Sequence, residues 1–109
     1  MAANRPFLSG IPELLVRRLL QDQEMYGYEI VAGIAAATGQ AVSPKEGVIY
    51  PLLHSLEKDG LLRAQPRQAE GRTRIYYTLT SRGVRRLFEL TDHWTRLHGA
   101  VSRVLRDGA

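Results

Sequence analysis

At 109 residues with 44% hydrophobic side chains, the chain has material for one small domain with little core to spare, so burial against a second copy would help it. The absence of cysteine excludes disulfides and thiolate metal sites, and with no membrane-length apolar run and no signal-like start the chain reads as cytoplasmic, with no membrane partner. The net charge of +4 is unevenly placed: three arginines face four acids in residues 1–43, two lysines face three acids in 44–62, seven arginines face Glu70 alone in 63–86, and 87–109 balance.

Residues 1–10 show no periodicity and read as a loose arm, with Phe7 and Leu8 available for packing. From Ile11 to about Gln23, the spacing predicts an amphipathic helix with Pro12 in its first turn. Ile11, Leu14, Leu15 and Leu19 form its core side, opposite Glu13, Arg17 and Gln21. A break at Met25-Tyr26-Gly27 precedes a compact helix over Tyr28–Thr38, which Gly39 ends.

A third helix is predicted over Ser43–Leu62. Ser43 serves as N-cap, Pro44 as first helical residue and Glu46 as the return half of a capping box. Gly60 is placed to end it in a Schellman motif, with Leu61 returning to Leu56. At 100° per residue, Val48, Ile49, Leu52, Leu53 and Leu56 fall on a core side, and Gly47, Tyr50, Pro51, His54 and Lys58 on a polar one. Pro51 leaves the Gly47 carbonyl without its usual partner, so a local kink is expected.

Two strands follow, Leu61–Gln68 and Arg74–Thr80, with Ala69–Thr73 as hairpin tip. In the second, Ile75, Tyr77 and Leu79 alternate with Arg74, Tyr76 and Thr78, and Pro66 confines the first to a sheet edge. Thr80 or Ser81 can cap a last helix to about Arg106. Along it Leu87, Leu90, Trp94, Leu97, Val101 and Val104 recur with coiled-coil spacing. This helix either lies back on its own domain or pairs with a second copy; its length favours pairing, in a homodimer.

Three helices on short connections, with a polar side on the third, outline a helix-turn-helix, and a basic hairpin directly after them reads as a wing. The expected fold is mainly α with a small β-hairpin: an arm at 1–10, a winged helix-turn-helix over 11–80 and a dimerisation helix over 81–109. A basic stripe of this kind is the footprint of a polyanion such as double-stranded DNA, although a solvated basic face has the same composition. The candidate DNA-contacting residues are Lys45, Gly47, Tyr50, Pro51, His54 and Lys58 on the third helix, and Arg63, Arg67, Arg72 and Arg74 at or on the wing. Tyr50 could donate to a phosphate while its ring caps the core edge. For His54 a plain surface role is the alternative.

Trp94 either fills a gap in the dimer or lines a slot where a small aromatic effector stacks. His93 and His98 lie too far around the helix to share a metal, and no nucleophile, acid–base pair or phosphate-cradling loop is present. No metal, cofactor or enzymatic activity is expected.

Tyr26-Gly27-Tyr28-Glu29-Ile30, Gly47 to Leu53, Leu56-Glu57, Gly60-Leu61, Glu70-Gly71-Arg72, Tyr76-Tyr77 and Leu79-Thr80 with Gly83 together resemble the PadR-like winged helix-turn-helix transcriptional regulators. The resemblance covers about Leu14–Leu87. It implies a homodimeric repressor reading an inverted repeat with the third helix and the wing. It also implies a single terminal helix that makes the dimer, and release by small aromatic or cationic compounds. Tyr50 and Pro51 match the family motif in the third helix, and Arg72 matches the basic position after the wing glycine. Val48 departs from a usual Ser or Thr. If that hydroxyl contacts a phosphate in the family, this chain obtains the contact elsewhere or binds more weakly. The competing reading is a winged-helix protein-interaction module without DNA binding.

Overall fold

A computed structural model describes residues 10–107; apart from Gly10, the expected arm lies outside the described residues. The elements run α1 (Ile11–Asp22), β1 (Met25–Tyr26), α2 (Gly27–Ala37), α3 (Glu46–Lys58), β2 (Leu62–Ala69), β3 (Arg72–Leu79) and α4 (Ser81–Asp107). The fold is mainly helical with one small antiparallel sheet, a winged helix with a long C-terminal helix. The sheet has the order β1-β3-β2. The two-residue β1 lies where only a break was expected, and it makes β3 the central strand.

The core joins α1, α2, α3 and the sheet through Val16, Leu20, Met25, Ile30, Ile34, Ile49, Leu53, Leu56, Leu62 and Tyr77. In α1 this reverses part of the expected pattern. Arg17, placed on the polar side by spacing, is 0% exposed, and Val16 and Leu20 carry the buried stripe with Leu15 and Leu19 packed beside it. The buried guanidinium is ion-paired with Glu13 one turn earlier, through both Nε and Nη2, while its Nη1 finds no acceptor among the described residues.

Thr38 closes α2. Its hydroxyl donates to the Ile34 carbonyl at 2.8 Å and accepts the Val42 N–H at 3.0 Å, while Gly39 takes a positive φ of 60° past the last turn. Because Val42 is tied back to α2, residues 43–45 must span the distance to the next helix, and α3 starts at Glu46 rather than at Ser43. Lys45 is the N-cap in extended conformation with no side-chain cap bond, so the Ser43–Glu46 capping box is not formed. The other end is as expected. Gly60 has φ 78°, the Leu61 N–H donates to the Leu56 carbonyl at 2.9 Å, and the Gly60 N–H donates to that of Glu57 at 3.0 Å, the two bonds of a Schellman motif.

β2 and β3 pair from Leu62↔Leu79 to Ala69↔Arg72. The hairpin is tighter than predicted: Glu70 and Gly71, both at positive φ (53° and 76°), form the whole turn, the backbone that two-residue hairpins favour. Its outer part projects past the helices. Ile75 is therefore exposed although it shares its strand face with the buried Tyr77.

Thr80 caps α4. Its Oγ1 accepts the Gly83 N–H at 3.1 Å and donates to the Gly60 carbonyl at 2.8 Å. A Cβ at Gly83 would collide with the Leu61 carbonyl, so only glycine lets α4 start this close to the end of α3. With 27 residues, α4 is about 40 Å long at about 1.5 Å per residue, and it extends the molecule to 56 Å along its long axis.

Removing one partner of a buried ion pair leaves the other charge uncompensated, whereas removing the buried charge itself does not. Glu13→Ala should therefore cost about 3 kcal/mol of unfolding free energy. Arg17→Met, which deletes the cation and keeps much of the volume, should cost less than about 1.5 kcal/mol. Urea unfolding of the two variants measures the difference.

Candidate nucleic-acid interface

Helix α3 buries Ile49, Leu53 and Leu56 and half-buries Leu52. The opposite face presents Gly47, Pro51, His54 and Lys58, all exposed, with Lys45 at its N-terminal end. Val48 joins this face: it is 51% exposed, not on the core side as expected. It lies about a quarter-turn from the middle of the buried arc.

Tyr50 is the exception among the expected polar positions. It is half-buried, and its ring lies where a Cβ on Gly27 would be. Burial, and then the Glu46 carboxylate and Tyr26, push its pKa above the ordinary tyrosine value. The phenol therefore stays protonated and can donate. Tyr77, beneath it in the core, is raised as well, by burial first and then by Glu57 and Tyr50.

The wing arginines divide into two kinds. Arg63 and Arg72 are exposed and have no carboxylate within ion-pair distance among the described residues. Arg67 Nη2 is ion-paired with Glu24 Oε1 at 2.9 Å. Arg74 is half-buried, its guanidinium 4.5 Å above the Tyr26 ring with Glu70 at 3.7 Å.

Tyr26 holds this arrangement together. Its ring meets Tyr76, its direct cross-strand partner, edge-on at 5.4 Å, and its N–H donates to Glu29 Oε1 at 3.1 Å at the start of α2. One residue thus joins the helix pair to the wing. Sequence reasoning missed Glu24 and Tyr26 as wing-holding residues; the available signal was the strand-favouring Met25-Tyr26 pair directly before Gly27.

On α4 the expected seam is split. Leu87 is 2% exposed and belongs to the chain's own interior, because the first two turns of α4 are still covered by the domain; it is not free to meet a partner. Leu90 is half-buried. Trp94, Leu97, Val101 and Val104 are exposed, and so are Phe88 and Leu105, which the seam did not include; the six are between 39% and 70% exposed. The Trp94 ring lies 5.6 Å from that of His98, one turn on. No group of three or more potential ligands for a metal ion occurs among the described residues, and no described helix is long and apolar enough to cross a membrane.

The family model for the PadR-like transcriptional regulators matches residues 16–93. The chain belongs to this family. It is 35% identical over 79 residues to a transcriptional regulator of Mycobacterium tuberculosis, across 72% of this chain and 71% of that one. A PadR-like transcriptional regulator from Bacillus cereus superposes with a TM-score of 0.79 at 29% identity, over 92% of this chain and 96% of its own. A transcriptional regulator from Clostridium thermocellum reaches a TM-score of 0.83 at 24% identity, over 90% and 96% of the two chains, a likeness of fold. As a PadR-like protein the chain is a transcriptional regulator rather than an enzyme.

Overpacking a tight contact typically costs about 1–3 kcal/mol. Gly27→Ala should therefore lower the unfolding free energy by about that amount and displace Tyr50 from the start of α2, and a Tyr50→Leu change in the same chain should recover part of the loss. Denaturant titration of the single and double variants measures both effects.

Proposed function

We propose that this PadR-like regulator is a homodimeric repressor that binds an inverted-repeat operator. Residues 11–80 act as the DNA-binding unit and 81–109 as the dimerisation helix. The reading is carried by one arrangement: the exposed face of α3, with Gly47, Val48, Pro51, His54 and Lys58, beside a wing whose Arg63 and Arg72 have no ion-pair partner among the described residues. Residues 44–62 hold two lysines against three acids. Helix α3 is therefore suited to discriminating base edges, and attraction to phosphates falls to the wing. Val48 offers an apolar surface for a thymine methyl group in place of a hydroxyl.

Dimerisation is supported by the apolar face of α4, which beyond Leu90 is exposed and packs against no other element among the described residues. A helix with no packing partner is marginal in water at this length. Pairing would bury Trp94, Leu97, Val101 and Val104 and supply the two-fold axis that an inverted repeat requires. If Trp94 does not fill the dimer seam, its ring is the surface on which a small aromatic effector would stack.

Phosphate contacts release counterions, so raising salt from about 50 to about 200 mM should weaken operator binding by roughly a thousandfold. Arg63→Ala and Arg72→Ala should weaken all duplexes alike and flatten the salt slope. His54→Ala should alter preference among sequences by about 1–3 kcal/mol. Fluorescence anisotropy with labelled duplexes reads all three. A chain that binds no duplex even at low salt is instead a protein-interaction module.

Leu97→Glu and Val101→Glu place like charges on the α4 face. Each should convert the dimer to a monomer in light scattering and lower operator affinity at least tenfold, while Leu97→Met should leave the mass unchanged.

A further inference from the structure

The Glu24–Arg67 pair is the place where the wing is held by an acid from outside it. Glu24 lies just before β1, whose two residues are fixed by pairing with β3, and its carboxylate reaches Arg67 on the outer strand β2. The two partners differ in setting: the Glu24 side chain is 35% exposed and that of Arg67 51%. A sheltered carboxylate on a fixed backbone thus holds a guanidinium on the projecting hairpin. Guanidinium groups bind carboxylate and phosphate with the same fork of donors.

We infer that Glu24 occupies Arg67 in place of a DNA phosphate and so limits how strongly the wing attracts DNA. The inference rests on the DNA-binding reading above. In the free chain Arg67 Nη2 is ion-paired with Glu24 Oε1 at 2.9 Å. For Arg67 to serve a phosphate, either this pair opens or the phosphate approaches the Glu24 carboxylate, and both steps oppose binding. Arg63 and Arg72 carry no such opposition among the described residues. Arg74 is held mainly by its stacking on Tyr26, which a phosphate does not compete for in the same way. Glu24 is therefore a positioning residue: it touches no DNA, and it acts through Arg67.

The pair is partly exposed, so its effect is modest and salt-sensitive. At about 50 mM salt, Glu24→Gln should tighten binding to every duplex by about two- to fivefold, and the gain should shrink towards about 200 mM as the pair is screened. Arg67→Ala should weaken binding, and adding Glu24→Gln to Arg67→Ala should give no gain. That cycle separates the specific pair from the general loss of one negative charge.

Glu24→Ala should behave as Glu24→Gln does, and the thermal unfolding of both should match that of the unsubstituted chain. An equal gain with and without Arg67 would overturn the inference, because Glu24 would then act only as a distant repulsive charge. Weaker binding by Glu24→Gln would also overturn it, by making the pair a support that presents Arg67 to DNA. Failure of the unsubstituted chain to bind any duplex would instead remove the DNA-binding reading, and the inference with it.

Discussion

The fold depends on the junction where Thr80 meets the end of α3. Its hydroxyl donates to the Gly60 carbonyl and accepts the Gly83 N–H, and its own N–H donates to the Leu61 carbonyl at 3.2 Å. Arg82 adds a bond from Nη1 to the Asp59 carbonyl at 3.1 Å. The end of α3, the start of β2, the end of β3 and the start of α4 are thereby tied within a few residues. Orphan carbonyls at a helix end need partners, and here they find them on the segment that begins the next helix. Because Gly83 allows no side chain between the two helices, a change in the direction of α4 must move the end of α3 with it.

The wing is fixed at a second point. Tyr26 bonds to the first turn of α2, meets Tyr76 edge-on and lies under Arg74, and Glu24 is ion-paired with Arg67. The hairpin is therefore not a free flap on a two-residue turn. A count of positive charges in residues 63–86 treats all seven arginines as equal, but they are not. Arg82 serves a helix end, Arg86 pairs with Glu89 at 3.2 Å, and Arg67 and Arg74 are engaged across the sheet. Under the proposed reading, the attraction available at first encounter comes from fewer groups than the sequence suggests.

Much of this was legible because local rules and tertiary structure agree. Gly60 at positive φ, the Thr80 cap and Pro66 on an edge strand appear where the sequence places them. The failures have a common cause, in that long-range packing overrides local pattern. Arg17 sits on the polar side by spacing, yet tertiary packing buries it completely and Glu13 compensates the charge. The capping signal at Ser43 is sound by itself, but the Thr38–Val42 bond decides where the chain can begin to coil. Val48 and Leu87 were misplaced for opposite reasons: a spacing rule does not say where the body of the domain ends, and it ends before one and after the other. The short β1 left only the trace of two strand-favouring residues, because its bonding partners lie some fifty positions further along the chain.

The sheet has two outer edges, and neither is a good template for another strand. β1 is two residues long, and β2 carries Pro66, which has no N–H to offer, flanked at intervals by Arg63 and Arg67. Short edges, prolines and charged side chains are the usual protection against edge-to-edge aggregation. The wing can therefore stand out from the body as an isolated blade without drawing neighbouring molecules into a continuous sheet. Under the proposed reading, copies then meet through the apolar side of α4, so self-association closes into a pair instead of an open fibre.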